Sequence, residues 1–332
     1  MIFEGSGGAV TPSPTPTPTP PLSGRGFDRA ALVAYARDSI ARGSKSFALA
    51  SKLFDAPTRE RAWLLYAWCR KCDDLADGQD MGHGMSAVTD AHARVAYIRE
   101  QTQAALAGAP TDDPAFAALA VVAAECRLPH RYIFDVIDGF DLDAQEWRPR
   151  SANDLYQYCY HVAGAVGLLM AIVMGVDPED DATLDRACDL GLAFQLANIA
   201  RDLSEDDSVG RCYLPMEWLA EMDIPPGQHM KPWLRSQLVP LAARLADRSE
   251  AHEASARVGA EKLPFRARWA VLAAAGIYGD IAREVRRRGA QAWDHRVITT
   301  GGQKIGWLVR SGWQAASRPD PVSREGLWTR PR

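Results

Sequence analysis

The sequence predicts an all-α protein built as a single domain, and three observations carry that expectation. Apolar residues recur at spacings of three and four along 28–41, 58–77, 90–107, 114–126, 152–175, 181–207, 234–258 and 265–288, the period of a helix with one buried face. From Phe27 onward Ala, Leu and Arg are abundant and β-branched runs are few, which favours helix on intrinsic propensity. No alternation of apolar and polar residues is long enough to read as a strand.

Taken in order, the first helical segment follows TPSPTPTPTPP at 11–21. Proline there fixes φ and removes backbone donors, so residues 1–25 are expected to form an extended tail. The later breaks fall at Gly108-Ala109-Pro110, Trp147-Arg148-Pro149, Gly175-Val176-Asp177-Pro178 and Ile224-Pro225-Pro226, all combinations that interrupt a helix. The expected organisation is one domain over 26–316 and a basic carboxy-terminal tail over 317–332. No internal repeat is evident, although acidic segments near 73–77 and 202–206 echo each other.

The 332 residues include 38 basic and 42 acidic side chains, a formal net charge of −4, with 47% hydrophobic residues. That balance suits a soluble globular protein and argues against a general nucleic-acid binder. The sum hides an asymmetry. Residues 281–332 hold eleven basic and four acidic side chains, a surplus of seven, which leaves residues 1–280 at −11. Six cysteines, Cys69, Cys72, Cys126, Cys159, Cys188 and Cys212, are scattered through apolar segments, as expected of reduced thiols in the cytoplasm. Cys69 and Cys72 form a C-x-x-C, but no second pair completes a zinc site. MIFEGSGGAV lacks the basic start and apolar run of a signal peptide. The apolar stretch from Val162 to Val176 is short for a membrane span.

The chemistry is concentrated in two acidic stripes. In RAWLLYAWCRKCDDLADGQD, residues 61–80, Asp73 and Asp77 stand four apart, and Tyr66 and Arg70 continue the same helix face backwards. In QLANIARDLSEDDSVGRCYLP, residues 195–215, Gln195, Asn198, Asp202 and Asp206 follow at three, four and four, flanked by Arg201 and Glu205. Like charges at i and i+4 destabilise an isolated helix by a few tenths of a kcal/mol, so each pair requires a cation. A solvated acidic face is the plain alternative. Carboxylate oxygens without His or Cys suit Mg²⁺ or Mn²⁺ rather than zinc. Magnesium binds through one or two carboxylates together with substrate phosphates. Two facing aspartate pairs therefore describe a cleft for a diphosphate, with Arg70 and Arg201 completing the clamp.

LYAWCRKCDDLADGQ and QLANIARDLSEDDSVGRCYLP resemble the two signature motifs of bacterial phytoene synthases, within the squalene/phytoene synthase family. SKSFALAS (44–51), YCYHVAGAVG (158–167) and AAGIYGDIAREVRRRG (274–289) match further family blocks in the expected order. The resemblance spans roughly 27–310. It implies an isoprenoid-synthase helical bundle around a central cavity, in which two geranylgeranyl diphosphates condense head to head. The implied route passes through prephytoene diphosphate and releases both diphosphates, giving 15-cis-phytoene at the entry to carotenoid biosynthesis.

By position, the resemblance assigns Asp73, Asp77, Asp202 and Asp206, with Asn198, to Mg²⁺ or Mn²⁺. Ser44, Lys45, Ser46, Tyr66, Arg70, Gln195, Asn198 and Arg201 would contact the diphosphates or their ions. Tyr160, Tyr278 and Arg296 match positions lining the reaction centre, Tyr160 and Arg201 being counted with the catalytic set. Packed aromatics and a solvated basic face are the plain alternatives for Tyr160, Tyr278 and Arg296. Phe47, Trp63 and Phe194 are candidates to face the carbocations. Ala197 stands where many relatives carry Thr, which leaves the metal positions untouched. The step Gly164 to Gly167 admits either close approach of backbone to the lipid chain or plain helix packing.

The alternatives are a squalene or dehydrosqualene synthase acting on farnesyl diphosphate and a non-catalytic helical assembly factor of the same fold. No NADPH is expected for the phytoene reaction. The basic end, with Trp307, Leu308, Trp313 and Trp328, suggests contact with anionic lipid on the inner face of the cell membrane. There the product would pass to a downstream desaturase.

Overall fold

A computed structural model describes residues 27–78 and 90–332. The expected tail at 1–25 lies outside the described residues. Thirteen α-helices are described, and no strand appears among the described residues. They are α1 (Arg29–Gly43), α2 (Lys45–Ser51), α3 (Ala56–Asp77), α4 (Ala91–Leu106), α5 (Pro114–Cys126), α6 (His130–Ala144), α7 (Ala152–Cys159), α8 (Ala165–Val173), α9 (Asp181–Ser208), α10 (Met216–Glu221), α11 (Arg235–Gly259), α12 (Phe265–Arg288) and α13 (Gly301–Ala316).

Eight segments read from periodicity match α1, α3, α4, α5, α7 with α8, α9, α11 and α12 to within a few residues. Their caps are local. Asp28, Asp55, Asp113 and Asp180 each accept a backbone N–H of the helix they precede, satisfying groups the first turn leaves over. Periodicity missed the short helices α2 and α10, and also α6 and α13. Four aspartates and Gly139 weaken the helical signal of α6, and four glycines weaken that of α13. Packing decides instead. Ile133, Val136 and Ile137 of α6 are buried. A capping box between Thr300 and Gln303 starts α13, and the Trp269 indole donates to the Leu308 carbonyl at 2.7 Å.

A π-helical turn at Tyr160–Gly164 joins α7 to α8. The continuous helix Ala152–Val173 has 22 residues, and an 18-residue window of it has a mean hydropathy of 1.3, enough by length and composition to cross a membrane. Its apolar window is 72% buried inside the protein, which accounts for its composition. The 15-residue apolar stretch in the sequence therefore understates the helix, and burial, not length, explains it. Two glycines bring this helix onto α9: a Cβ on Gly167 would stand 2.6 Å from the Ala187 carbonyl oxygen, and one on Gly191 would overlap the Ala163 carbonyl.

The basic end is only partly a tail. Arg324 donates to both oxygens of Asp189 at 2.7 and 2.9 Å. Buried Arg330 reaches Asp185 at 2.9 Å and pairs with Asp181, and Arg332 reaches Asp185 at 3.0 Å. The last residues thus lie along α9. Asp189 is fully buried and also accepts from Ser255 at 2.5 Å, with His252 Nδ1 at 2.9 Å.

Burial opposes ionisation of Asp189, but hydrogen bonds from Arg324 and His252 hold its carboxyl below the ordinary range. Asp189→Ala removes the buried carboxylate that Arg324, Ser255 and His252 share and is expected to cost about 3 kcal/mol in urea denaturation. A depressed native pKa places this contribution fully above the unfolded carboxylate value near 4. It is lost as pH falls through the native value, so the gap between wild type and variant should close in acid. Equal urea midpoints near neutrality would show that the network does not stabilise the fold.

Candidate active site

Both acidic stripes lie near the carboxy-terminal ends of their helices. Gly78, at φ 63°, stops α3 directly after Asp77 and returns its N–H to the Asp74 carbonyl. Asp202 and Asp206 occupy the last two turns of α9, which ends at Ser208. The helix dipole is negative there, so it adds to the repulsion within each pair.

On α3, Tyr66, Arg70, Asp73 and Asp77 are all buried. Arg70 Nη1 donates to Asp73 Oδ2 at 2.9 Å and lies 3.6 Å from Asp74. Burial and the charge of Asp77 outweigh Arg70 and push Asp73 up to about 6. On α9, Gln195, Asn198 and Arg201 are buried. Arg201 donates to both oxygens of Asp202, and Arg296 donates to the same two at 3.0 and 3.1 Å. Burial opposes this clamp, yet the guanidinium hydrogen bonds keep Asp202 below the ordinary carboxylate range. Asp206 has no such clamp; burial and the charge of Asp202 push it up to about 8.

Arg211 joins the two stripes. Its Nη2 donates to Asp77 Oδ1 at 2.8 Å, its backbone N–H donates to the Asp206 carbonyl at 2.8 Å, and its charge acts on Asp206. Gly210, at φ 77°, makes the turn that returns it. Beyond lies Asp143, whose carboxylate accepts the hydroxyls of Tyr158 at 3.1 Å and Tyr213 at 2.8 Å, while burial holds its carboxyl above the ordinary range. Sequence reasoning missed Arg211, Asp143 and Lys304, which donates to Ser46 Oγ at 2.7 Å. The signal for Arg211 was its place in the GRCYLP end of the second motif; Asp143 and Lys304 had none.

A long cavity runs between α2, α3, α8, α9, α11 and α12. Ser46, Phe47, Tyr66, Phe194 and Tyr278 line one end and Met174, Val176, Thr183 and Leu263 the other. Phe194 and Tyr278 stack at 4.3 Å. Gly167 and Gly191 both pack α8 on α9 and line the cavity, so the two readings of the glycine step coexist. Cys69 lines it too, with burial pushing its thiol up to about 12. All six cysteines are free.

Three predicted residues, Ser44, Lys45 and Tyr160, do not line the cavity. Ser44 accepts the Phe47 N–H at 3.2 Å as the cap of α2, and Lys45 is exposed. Tyr160 does not line the cavity; its hydroxyl donates to Asp135 at 2.5 Å and its ring lies 6.0 Å from Trp328. Among the aromatic candidates, Trp63 also turns away, donating to Ser51 Oγ at 2.9 Å beneath Arg59.

The squalene/phytoene synthase family profile matches residues 40–303. The chain belongs to that family. A phytoene synthase of Pseudescherichia vulneris is 44% identical over 306 residues, covering 90% of this chain and 98% of the relative. A 15-cis-phytoene synthase of Paracoccus sp. (strain N81106 / MBIC 01143) is 45% identical over 304 residues, with the same coverage. Among solved structures, a dehydrosqualene synthase in complex with ligand superposes with a TM-score of 0.76 at 28% identity, covering 85% of this chain and 96% of that one. A squalene synthase of Alicyclobacillus acidocaldarius gives 0.70 at 24% identity, with 79% and 95% covered, and supports the isoprenoid-synthase fold alone.

The residues of this family member fit a hard divalent ion. The donors are all oxygen. The carboxyls of Asp73 and Asp206 are held above their ordinary range, and the buried Gln195 Oε1 has no hydrogen-bond partner. A second acidic group, Asp135, Asp138 and His161, lies apart on α6 and the π-helical turn, where Tyr160 and Arg99 engage the aspartates. Calorimetry with inorganic diphosphate is expected to show binding only with Mg²⁺ present. Asp206→Asn should weaken it about tenfold or more, and unchanged affinity would remove the second stripe from the site.

Proposed function

We propose that this protein condenses two geranylgeranyl diphosphates head to head to 15-cis-phytoene, using Mg²⁺ or Mn²⁺. The observation that carries the reading is a pair of aspartate stripes, one buried and one half-buried, beside a long apolar cavity, in a chain 44–45% identical to phytoene synthases. Asp73, Asp77, Asp202 and Asp206, with Asn198, would hold the ions. Bound there, the ions would supply electrostatic stabilisation of the leaving diphosphate.

The chain's own groups define the rest. Arg70 and Arg211 are positioned to hold diphosphate oxygens beside the first stripe, and Arg201 and Arg296 beside the second. Lys304 and Ser46 close the site where Tyr66 enters the cavity wall. As the C1–O bond of one substrate breaks, its electron pair leaves with diphosphate. The C2–C3 double bond of the other substrate attacks C1, and loss of a proton closes the cyclopropane. Renewed loss of diphosphate, rearrangement and loss of a second proton give the triene. The released diphosphate is the proposed proton acceptor. Phe47, Phe194 and Tyr278 present ring faces to the cations, while the apolar wall keeps water from trapping them.

A dehydrosqualene synthase reading draws support from the fold, but that relative stands at 28% identity. An assembly factor would have no use for four aspartates in this arrangement. Incubation with geranylgeranyl or farnesyl diphosphate, with and without Mg²⁺ and NADPH, is expected to give a C40 hydrocarbon from the longer substrate, with Mg²⁺ and without NADPH. Asp77→Asn or Asp202→Asn should lower the rate about 10²–10³-fold. A C30 product alone would overturn the substrate assignment, and no diphosphate release under any condition would overturn the enzyme reading.

We also propose that α13 rests on an anionic bilayer, where an insoluble hydrocarbon can leave. Ile298, Ile305, Val309 and Trp313 are exposed, the last at 78%. Residues 298–318 contain Lys304, Arg310 and Arg318 and no acid, a charge that suits anionic lipid. Trp307 and Trp328 are held by Asp280 and Asn153 instead. The protein is expected to float with phosphatidylglycerol vesicles, and an Ile305→Ser, Val309→Ser, Trp313→Ser variant to stay behind. Equal flotation of the two would overturn this surface.

A further inference from the structure

The end of the cavity remote from the aspartates carries a charged side chain, Arg186. It lies sixteen residues before Asp202 on α9, about 24 Å at a rise of 1.5 Å per residue. Its aliphatic stem lies against the end of α11 as closely as a glycine allows: a Cβ on Gly259 would stand 2.5 Å from Arg186 Cβ. Its Nη1 donates to the carbonyl and the hydroxyl of Ser255, each at 3.1 Å, and its Nη2 donates to the Val322 carbonyl at 2.9 Å.

Val322 belongs to the carboxy-terminal segment, beyond the residues matched by the family profile. That segment is fixed on the same helix through Arg324 on Asp189 and Arg330 on Asp185, and Ser255 donates to Asp189 as well. Helix α9, helix α11 and the carboxy-terminal segment therefore hold one guanidinium in place.

We propose that Arg186, pinned by Ser255 and Val322, is the floor of the prenyl cavity and sets the longest chain the enzyme accepts. The carboxy-terminal segment is thereby a specificity element. A hydrocarbon end cannot replace three hydrogen bonds to a guanidinium, so a substrate one isoprene unit longer meets a floor that resists displacement. The inference rests on the proposed prenyl-diphosphate chemistry and deepens it.

The test is the ratio of kcat/KM for geranylfarnesyl (C25) and geranylgeranyl (C20) diphosphates, measured in competition with the full chain and Mg²⁺. This ratio is independent of the fraction of folded enzyme. Arg186→Ala is expected to raise it at least tenfold, and Arg186→Met, which retains the stem but not the hydrogen bonds, to raise it less. Ser255→Ala, which removes one of the three hydrogen bonds, is expected to raise it least. Should Arg186→Ala fail to fold, Arg186→Met and Ser255→Ala carry the test alone. Wild-type phytoene formation with chain-length ratios unchanged in the folded variants would overturn the floor. Wild type inactive on every substrate would instead overturn the reaction on which it rests.

Discussion

Four aspartates stand near the carboxy-terminal ends of two helices, where the dipoles and their mutual repulsion both oppose ionisation. Four arginines answer that constraint. Arg70 compensates Asp73, Arg201 and Arg296 clamp Asp202, and Arg211 stands between Asp77 and Asp206. Compensation is incomplete at Asp73 and Asp206. A site evolved only for stability would have replaced one carboxylate in each pair. Retaining all four keeps a negative potential that a hard cation can satisfy, and the arginines confine that potential to the cleft.

The apolar cavity imposes the opposite demand. Its wall is made of helices packed closely enough that glycines are needed where α8 crosses α9, while its volume must remain open. Rigid helices bearing small residues meet both needs, because backbone can line the space without filling it. One helix thus serves both: α9 carries Asp202 and Asp206 at one end and reaches the far wall of the cavity with Thr183 and Arg186 at the other.

Much of this was legible in the sequence because it is local. Spacings of three and four place Gln195, Asn198, Asp202 and Asp206 on one face whatever surrounds them, and the same holds from Tyr66 to Asp77. Residues whose role depends on a distant partner were not legible. Arg211 meets Asp77 across 134 positions and Lys304 meets Ser46 across 258. Helices α6 and α13 escaped periodicity because aspartates and glycines diluted their intrinsic preference, and packing restored it. The basic surplus near the carboxy terminus was visible, but its partners Asp181, Asp185 and Asp189 lie on a helix well over a hundred positions earlier, so the sum suggested a free tail.

The π-helical turn at Tyr160–Gly164 gives one helix two registers. A residue removed there would restore α-helical winding and rotate the preceding half by about 100° relative to the following one. Tyr158 would swing off Asp143 while Gly164 and Gly167 stayed against α9. The wide turn works as a phase shifter, letting one continuous rod address an acidic cluster with its first half and a hydrocarbon chamber with its second.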